Sequence, residues 1–106
     1  MSDSDLASAI RSYYALLPEN TDEAWPGMTK TYQVRHAGGR SSYDAFWGAI
    51  RRVSASNVTG AIPDRAQATI TYEFRDGRRV QERTSFQLVK VGGRLKIKDS
   101  TVLSSK

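Results

Sequence analysis

The sequence lacks cysteine and contains only one histidine, His36, among its 106 residues. Without cysteine the chain has no disulfide bond, thiolate nucleophile or cysteine-based metal site. One histidine cannot supply a two-histidine metal site or a relay, and the glycines after His36 predict a solvated loop position. Ser42 and Ser85 have no base at a spacing typical of a hydrolase triad. We therefore expect no metal, no cofactor and no catalytic residue.

Long apolar runs are also missing. No segment approaches the ~20 apolar residues that cross a bilayer. The polar and acidic start at residues 2–5 differs from the basic region that opens a secretory signal. A length of 106 residues, with 39% hydrophobic and 25% charged residues, is typical of one soluble globular domain.

Acidic residues are scarce after position 28. Residues 1–28 hold five acids and one base, whereas residues 29–106 hold six acids and fifteen bases, which together give a net charge of +5. Arg94, Lys96 and Lys98 alternate along one predicted strand, and Arg83 is expected on the same outer face. This stripe suits anionic wall or lipid material, and a merely solvated basic surface is the alternative. Nucleic acid is disfavoured, because no exposed aromatics interleave with the basic residues.

Residues 66–100 predict three antiparallel strands joined by two hairpins. The side chains expected on the apolar face before and after the first turn fall on even positions, 70, 72 and 74 and then 80, 84, 86 and 88. Only a three-residue loop, residues 75–77 with Gly77 left-handed, keeps both sets on one face. A two-residue loop at Gly92 and Gly93 then brings Leu88 opposite Ile97. Val89 and Val91 fall on the other face, which indicates a bulge or a second contact surface there.

Three helices are predicted before the strands. The first is capped by Asp3 or Ser4 and stopped by Pro18. The second starts at Asn20 and continues towards residue 32, with a kink at residues 26–27, and residues 33–40 form a loop. The third is capped by Ser41, and its apolar stripe extends through residues 43–53. Gly48 within it indicates a close backbone approach.

An irregular strand over residues 53–62 completes the order of three helices followed by four strands. Segregated helices and antiparallel strands define an α+β fold. Because only the helices can cover the apolar sheet face, we expect a long curved sheet wrapped around them. Such a cone has a cavity at its wide end.

The chain resembles the C-terminal domain of actinobacterial membrane serine/threonine protein kinases along nearly its whole length. The segments that carry this resemblance are residues 13–18, 21–25, 32–33, 38–40, 42–48, 71–72, 76–79 and 88–94. The Phe-Trp-Gly segment at residues 46–48 and the tyrosine-rich first helix are its more specific parts. Residues 26–27 depart from the smoother second helix of that family. Kinase motifs such as His-Arg-Asp and Asp-Phe-Gly are absent.

The resemblance implies a nuclear-transport-factor-2-like, or cystatin-like, cone that lies outside the membrane as part of a larger protein. It implies a non-catalytic sensor or interaction domain whose partner is an unknown protein or small molecule. Pairing of two copies through the outer sheet face is common in this fold and is a further alternative.

A small cone-fold enzyme of isomerase or hydrolase type, acting on an apolar ligand, is the runner-up. The cone is shared with ketosteroid isomerase, which uses a carboxylate base and neutral hydroxyl and carboxyl donors. Strand parity puts Glu82 and Asp99 on the inner face, with Asp99 opposite Phe86, so the candidate site for such an enzyme consists of Tyr72, Glu82 and Asp99. Alternatively, Asp99 makes a structural hydrogen bond and Glu82 pairs with an arginine at position 78 or 79.

Two groups of candidate residues follow from these arguments. Candidates for lining a ligand cavity, with core packing as the alternative for the aromatics, are Tyr14, Trp25, Tyr32, Trp47, Tyr72 and Asp99. Candidates for a partner surface on the outer face of the sheet are Arg83, Val89, Val91, Lys96 and Lys98.

Overall fold

A computed structural model describes residues 1–106 and confirms the α+β class. Its helices are α1 (Asp3–Ala15), α2 (Thr21–Ala24), a 3-10 turn (Trp25–Gly27), α3 (Lys30–Arg35) and α4 (Arg40–Gly48). Its strands are β1 (Ile50–Ala61), β2 (Arg65–Phe74), β3 (Arg79–Val91) and β4 (Arg94–Ser105). The four strands form one open antiparallel sheet in the order β1-β2-β3-β4, and the helices pack on it in an arrangement consistent with a cone. No helix in the structure has the length and apolar character that a bilayer span requires.

The N-cap of helix α1 lies one residue before Asp3 and two before Ser4, which are its predicted caps. Ser2 is the N-cap, and its hydroxyl accepts a hydrogen bond from the backbone N–H of Asp5 at 3.1 Å. The Asp5 carboxylate accepts in return from the Ser2 backbone N–H, which completes a capping box. The predicted caps Asp3 and Ser4 are therefore wrong, because both lie inside the first turn. Leu6 and Ile10 carry the buried face of α1 onto the sheet.

The predicted second helix is three short pieces. Pro26 lies at the start of the 3-10 turn, where its missing N–H is tolerated, and Met28 is extended and bridges Ile97 of β4. Thr29 then caps α3, its hydroxyl accepting from the backbone N–H of Tyr32 at 3.2 Å. The predicted loop over residues 33–40 is wrong at both ends, because α3 continues to Arg35 and α4 begins at Arg40.

Helix α4 is shorter than its apolar stripe predicted. Gly39, with φ of +91°, is its N-cap in place of the predicted Ser41, and the helix ends at Gly48. Ile50 begins β1 and pairs with Phe74, so the assignment of residues 50–53 to the helix is wrong. Pairing with β2 satisfies the backbone there and overrides a helical spacing that the side chains happen to share. A β-carbon on Gly48 would meet nothing within 4 Å, so the predicted close approach is wrong.

Both hairpins have the predicted registers. Tyr72 pairs with Val80 across the three-residue loop, in which Gly77 has a φ of +95°. Leu88 pairs with Ile97 across the two-residue glycine loop. The even positions of β2 and β3 therefore form one continuous apolar face, as expected from their parity.

A β-bulge shifts the register of β4 beyond the second hairpin. Leu88 pairs with Ile97, but Gln87 pairs with Asp99, so Lys98 is an extra residue. Asp99 consequently shares the outer face with Gln87, and Ser100 takes the predicted place opposite Phe86. The expected position of Asp99 on the inner face is wrong.

Candidate ligand-binding cavity

A cavity of about 510 Å³ opens between α3, α4 and the inner sheet face. Twelve of its fifteen lining residues are hydrophobic. The lining residues are Tyr13, Tyr14, Met28, Tyr32, His36, Ala37, Ser42, Tyr43, Phe46, Trp47, Tyr72, Phe74, Val80, Glu82 and Val102. The volume falls within the ~300–1,000 Å³ that is common for small-molecule sites.

All five tyrosines of the chain line this cavity. The hydroxyl oxygens of Tyr13 and Tyr43 lie 2.9 Å apart, so one donates a hydrogen bond to the other. The Tyr32 hydroxyl lies 2.7 Å from the hydroxyl oxygen of Ser100. Three phenols are thereby oriented by contacts within the protein, which makes the polar part of the lining pre-organised.

Burial raises the pKa of every one of these phenols. For Tyr72, burial and then the charge of Glu82 raise the pKa to about 12, although the nearby Tyr14 hydroxyl opposes the shift. The Tyr14 pKa is raised by burial and by the neighbouring Tyr72. At neutral pH the cavity therefore presents uncharged hydroxyls, each able to donate one hydrogen bond and to accept others.

Aromatic rings form the wall of the cavity next to α4. The Phe46 ring meets Trp47, Tyr72 and Phe74 edge to face, with ring centroids 5.0, 5.8 and 6.3 Å away. Phe46 is nevertheless 43% exposed, so this wall is open to solvent at its rim. Contact between this apolar rim and an apolar ligand would remove apolar surface from water, which favours binding.

Glu82 is the only formally charged side chain in the lining at neutral pH. No basic group lies within ion-pair distance of Glu82, so the alternative of a pairing with the arginine at 78 or 79 is wrong. Arg78 instead bonds Asp76 at 2.9 Å within the hairpin loop.

His36 lines the mouth of the cavity beside Tyr32. It directly follows α3, where it is exposed as predicted, and its ring stacks on Tyr32 with centroids 4.4 Å apart. Desolvation lowers the pKa of His36 although Asp99 and Glu82 act in the opposite direction. Because the ordinary histidine pKa is about 6.5, this imidazole is mostly neutral at pH 7.

Four of the six cavity candidates meet at this site: Tyr14, Tyr32, Trp47 and Tyr72. Trp25 lies outside the lining and packs against Tyr43 with a centroid distance of 5.0 Å, while Arg40 sits over its ring. Asp99 lies outside it because of the β4 bulge, so a cluster of Tyr72, Glu82 and Asp99 does not form.

Sequence reasoning did not select several lining residues, of which Tyr13, Tyr43 and Phe46 are the main ones. The helical spacing of Tyr13 and Tyr43 has a simpler interpretation as core packing, so it does not single them out as cavity residues. Phe46 lies on the same helical stripe as Tyr43. The sequence pattern does not show that Phe46 lies at the open rim of the cavity rather than in the interior.

The partner-surface candidates are spread over the outer face. The Arg83 guanidinium points across β2, where it donates to the backbone oxygen of Asn57 at 2.8 Å and lies 3.2 Å from the Thr69 hydroxyl. Lys96 pairs with Val89, and the half-exposed Val91 lies at the hairpin end. The regular alternation of the basic stripe ends at Ile97, because Lys98 is the bulged residue.

The cavity can bind and orient a molecule through aromatic faces, neutral hydroxyls and one carboxylate. No group of three or more His, Asp or Glu side chains lies together in a way that could hold a metal ion. Comparison with protein-family models finds no match to this chain, and comparison with curated proteins finds no significant relative.

Proposed function

We propose that this chain is a non-catalytic sensor domain that binds a small, largely apolar molecule at the wide end of the cone. The single observation that carries the proposal is the cavity of about 510 Å³ whose lining contains all five tyrosines beside an open aromatic wall. Apolar area buried there contributes about 25 cal/mol per Å², and the phenols select ligands that carry a hydrogen-bonding group.

The same lining argues for binding rather than turnover. General acid–base catalysis in an apolar site needs one protonated group that can donate a proton and one deprotonated group that can accept a proton. Asp99 lies on the outer face, so Glu82 is the one carboxylate that a ligand could meet. The remaining polar groups are neutral phenols, the Ser42 hydroxyl and His36.

Binding can be tested with the neutral fluorescent probe N-phenyl-1-naphthylamine. Ser42 and Ser41 are adjacent exposed residues in the first turn of α4, but only Ser42 lines the cavity. We expect Ser42→Trp to obstruct the mouth and weaken probe binding by about tenfold or more, while Ser41→Trp binds like the natural chain. Absence of probe binding, or equal affinity in both variants, would contradict the proposal.

We further propose that the domain is the extracytoplasmic C-terminal part of a membrane serine/threonine kinase or a relative. Support comes from the resemblance of residues 13–18 and 42–48 to that family and from the α+β arrangement of helices on an antiparallel sheet. The complete reading frame tests this: it should carry a kinase domain and a transmembrane segment before this domain. A frame that lacks both would refute the placement.

A small enzyme acting on an apolar ligand is the second candidate, favoured by the proximity of Glu82 to Tyr72 within one cavity. In an isomerase-type reaction, Glu82 would act as the base that removes a proton from the substrate. The neutral phenols would donate hydrogen bonds to the developing oxyanion. A panel of ketones should then contain a substrate whose turnover disappears in Glu82→Gln. Failure to turn over any member would eliminate this candidate.

A further inference from the structure

We propose that the ligand is an organic cation, an ammonium group on an apolar body, held between the Glu82 carboxylate and the aromatic wall. This inference rests on the proposed binding function and specifies its ligand class. It depends on three features of the cavity, which are the charge of its lining, its aromatic rings and the lack of an internal ion-pair partner for Glu82.

The charge of the lining is opposite to that of the whole protein. The chain carries 16 lysines and arginines and a net charge of +5, yet none of these basic residues lines the cavity. Glu82 supplies its one formal charge, and the lowered pKa of His36 keeps that ring mostly neutral at pH 7. An anionic ligand would therefore meet a like charge between low-dielectric walls, whereas a cation would meet an opposite one.

The aromatic wall brings four rings together at the cavity. Phe46, Trp47, Tyr72 and Phe74 lie with neighbouring ring centroids 5.0 to 6.3 Å apart. The ring face carries negative quadrupole potential, and a cation is attracted within about 6 Å of the centroid. Several rings at this spacing can contact one ammonium group and its methyl or methylene substituents at the same time.

Glu82 lines the same cavity as this wall. It lies two residues beyond Val80 on β3, and Val80 pairs with Tyr72 of β2, so Glu82 and Tyr72 share the inner face of the sheet. Arg78 contacts Asp76, and Arg83 contacts Asn57 and Thr69. Arg79 pairs in register with Glu73 at an odd position of β3, on the face opposite to that of Glu82. Glu82 is a half-buried carboxylate with no counter-charge inside the protein. A cationic ligand would supply that counter-charge and offset the cost of partial burial.

Three monosubstituted benzenes of different charge separate the ligand classes. They are phenyltrimethylammonium, its neutral carbon isostere tert-butylbenzene, and the anion benzoate, each titrated at pH 7 by NMR. We expect the cation to bind about tenfold more tightly than the neutral isostere and benzoate not to bind. The indole N–H signal of Trp47, which lines the cavity, should move, and that of Trp25, which does not, should stay.

Two matched variants attribute the preference to Glu82. Glu82→Gln should abolish the preference for the cation while leaving tert-butylbenzene affinity within about twofold. Glu73→Gln changes the net charge equally but lies away from the cavity, where Glu73 contacts Arg51, so its cation preference should be unchanged.

The outcomes distinguish this inference from the binding function on which it rests. Equal binding of the cation and tert-butylbenzene, or tighter binding of benzoate, would overturn the cation inference and leave the sensor proposal standing. If none of the three probes and no N-phenyl-1-naphthylamine binds, both fail. The comparison of probes on the natural chain needs no variant, so misfolding of Glu82→Gln would not remove the test.

Discussion

A β-carbon added to Gly60 would overlap the backbone carbonyl oxygen of Asp3. This contact seats the first turn of α1 directly on β1, and the Asp3 carboxylate reinforces it by accepting from the backbone N–H of Ile62 at 2.8 Å. No other glycine in the chain is approached so closely by backbone. Gly60 thus fixes how α1, which carries Tyr13 and Tyr14 into the cavity, lies on the sheet.

Gly60→Ala should destabilise the protein by about 2 kcal/mol or more, because the obstructing atom belongs to the backbone and α1 must move away. Urea denaturation measures the loss. Gly48→Ala is the matched control, since nothing lies within 4 Å of the added carbon at the end of α4. Alanine is favoured in a helix by up to about 1 kcal/mol, so Gly48→Ala should be neutral or stabilising. Equal losses in the two variants would contradict the close approach at Gly60.

The Tyr13–Tyr43 hydrogen bond should show energetic coupling between α1 and α4. Both side chains are buried and their hydroxyl oxygens lie 2.9 Å apart. A double-mutant cycle with Tyr13→Phe and Tyr43→Phe should give a coupling free energy of about 1 kcal/mol at pH 7. The cycle of Tyr13→Phe with Tyr32→Phe is the control, because Tyr32 bonds Ser100, and its coupling should be close to zero.

Alkaline pH should destabilise the fold through the cavity tyrosines. Burial raises the pKa of all five in the folded state, that of Tyr72 to about 12, whereas an unfolded tyrosine titrates near pH 10. Above pH 10 the unfolded chain therefore binds fewer protons than the folded chain, so stability is full below about pH 10 and falls as the pH rises.

Absorbance at 295 nm follows phenolate formation and tests this prediction. In the folded protein the phenolate signal should lag well behind that of the urea-unfolded chain and should rise together with loss of the fold. Tyr72→Phe removes one of the shifted groups and should make the alkaline loss of stability less steep. Titration of the tyrosines near pH 10 in a protein that stays folded would show that the phenols are not buried.

The sequence predicts the hairpins because side-chain alternation depends only on local pairing. The even positions Ile70, Tyr72 and Phe86 required a three-residue first loop, and this register is observed. Asp99 could not be located in the same way, because a single bulged residue reverses the alternation and leaves no local signal. The spacing assigns Ile50 to the helix, because Ile50 lies seven positions after Tyr43. Its actual partner in the sheet, Phe74, is distant in sequence and leaves no local pattern.

The cavity was predicted only in part for a related reason. Parity and helical spacing place Tyr14, Trp47 and Tyr72 on inward faces, but they do not tell a filled core from an open end. That distinction depends on where α3 and α4 stop, and both helices have boundaries that differ from the sequence-based expectation. The sequence also does not show that Glu82 lacks an ion pair, because this depends on Arg78 and Arg83 contacting other residues.

Arg83 should prove to be a stabilising residue more than a docking residue. Asn57 has a φ of +49° at the irregularity of β1, and the Arg83 guanidinium holds its backbone oxygen at 2.8 Å. Arg83→Ala should cost about 1 kcal/mol and accelerate amide hydrogen exchange around Asn57. Lys96→Ala removes the same charge from a side chain without such a contact and should change stability by less than about 0.5 kcal/mol. If Arg83→Ala leaves both stability and exchange unaltered, the guanidinium is free on the outer face, and the partner-surface interpretation of Arg83 regains its support.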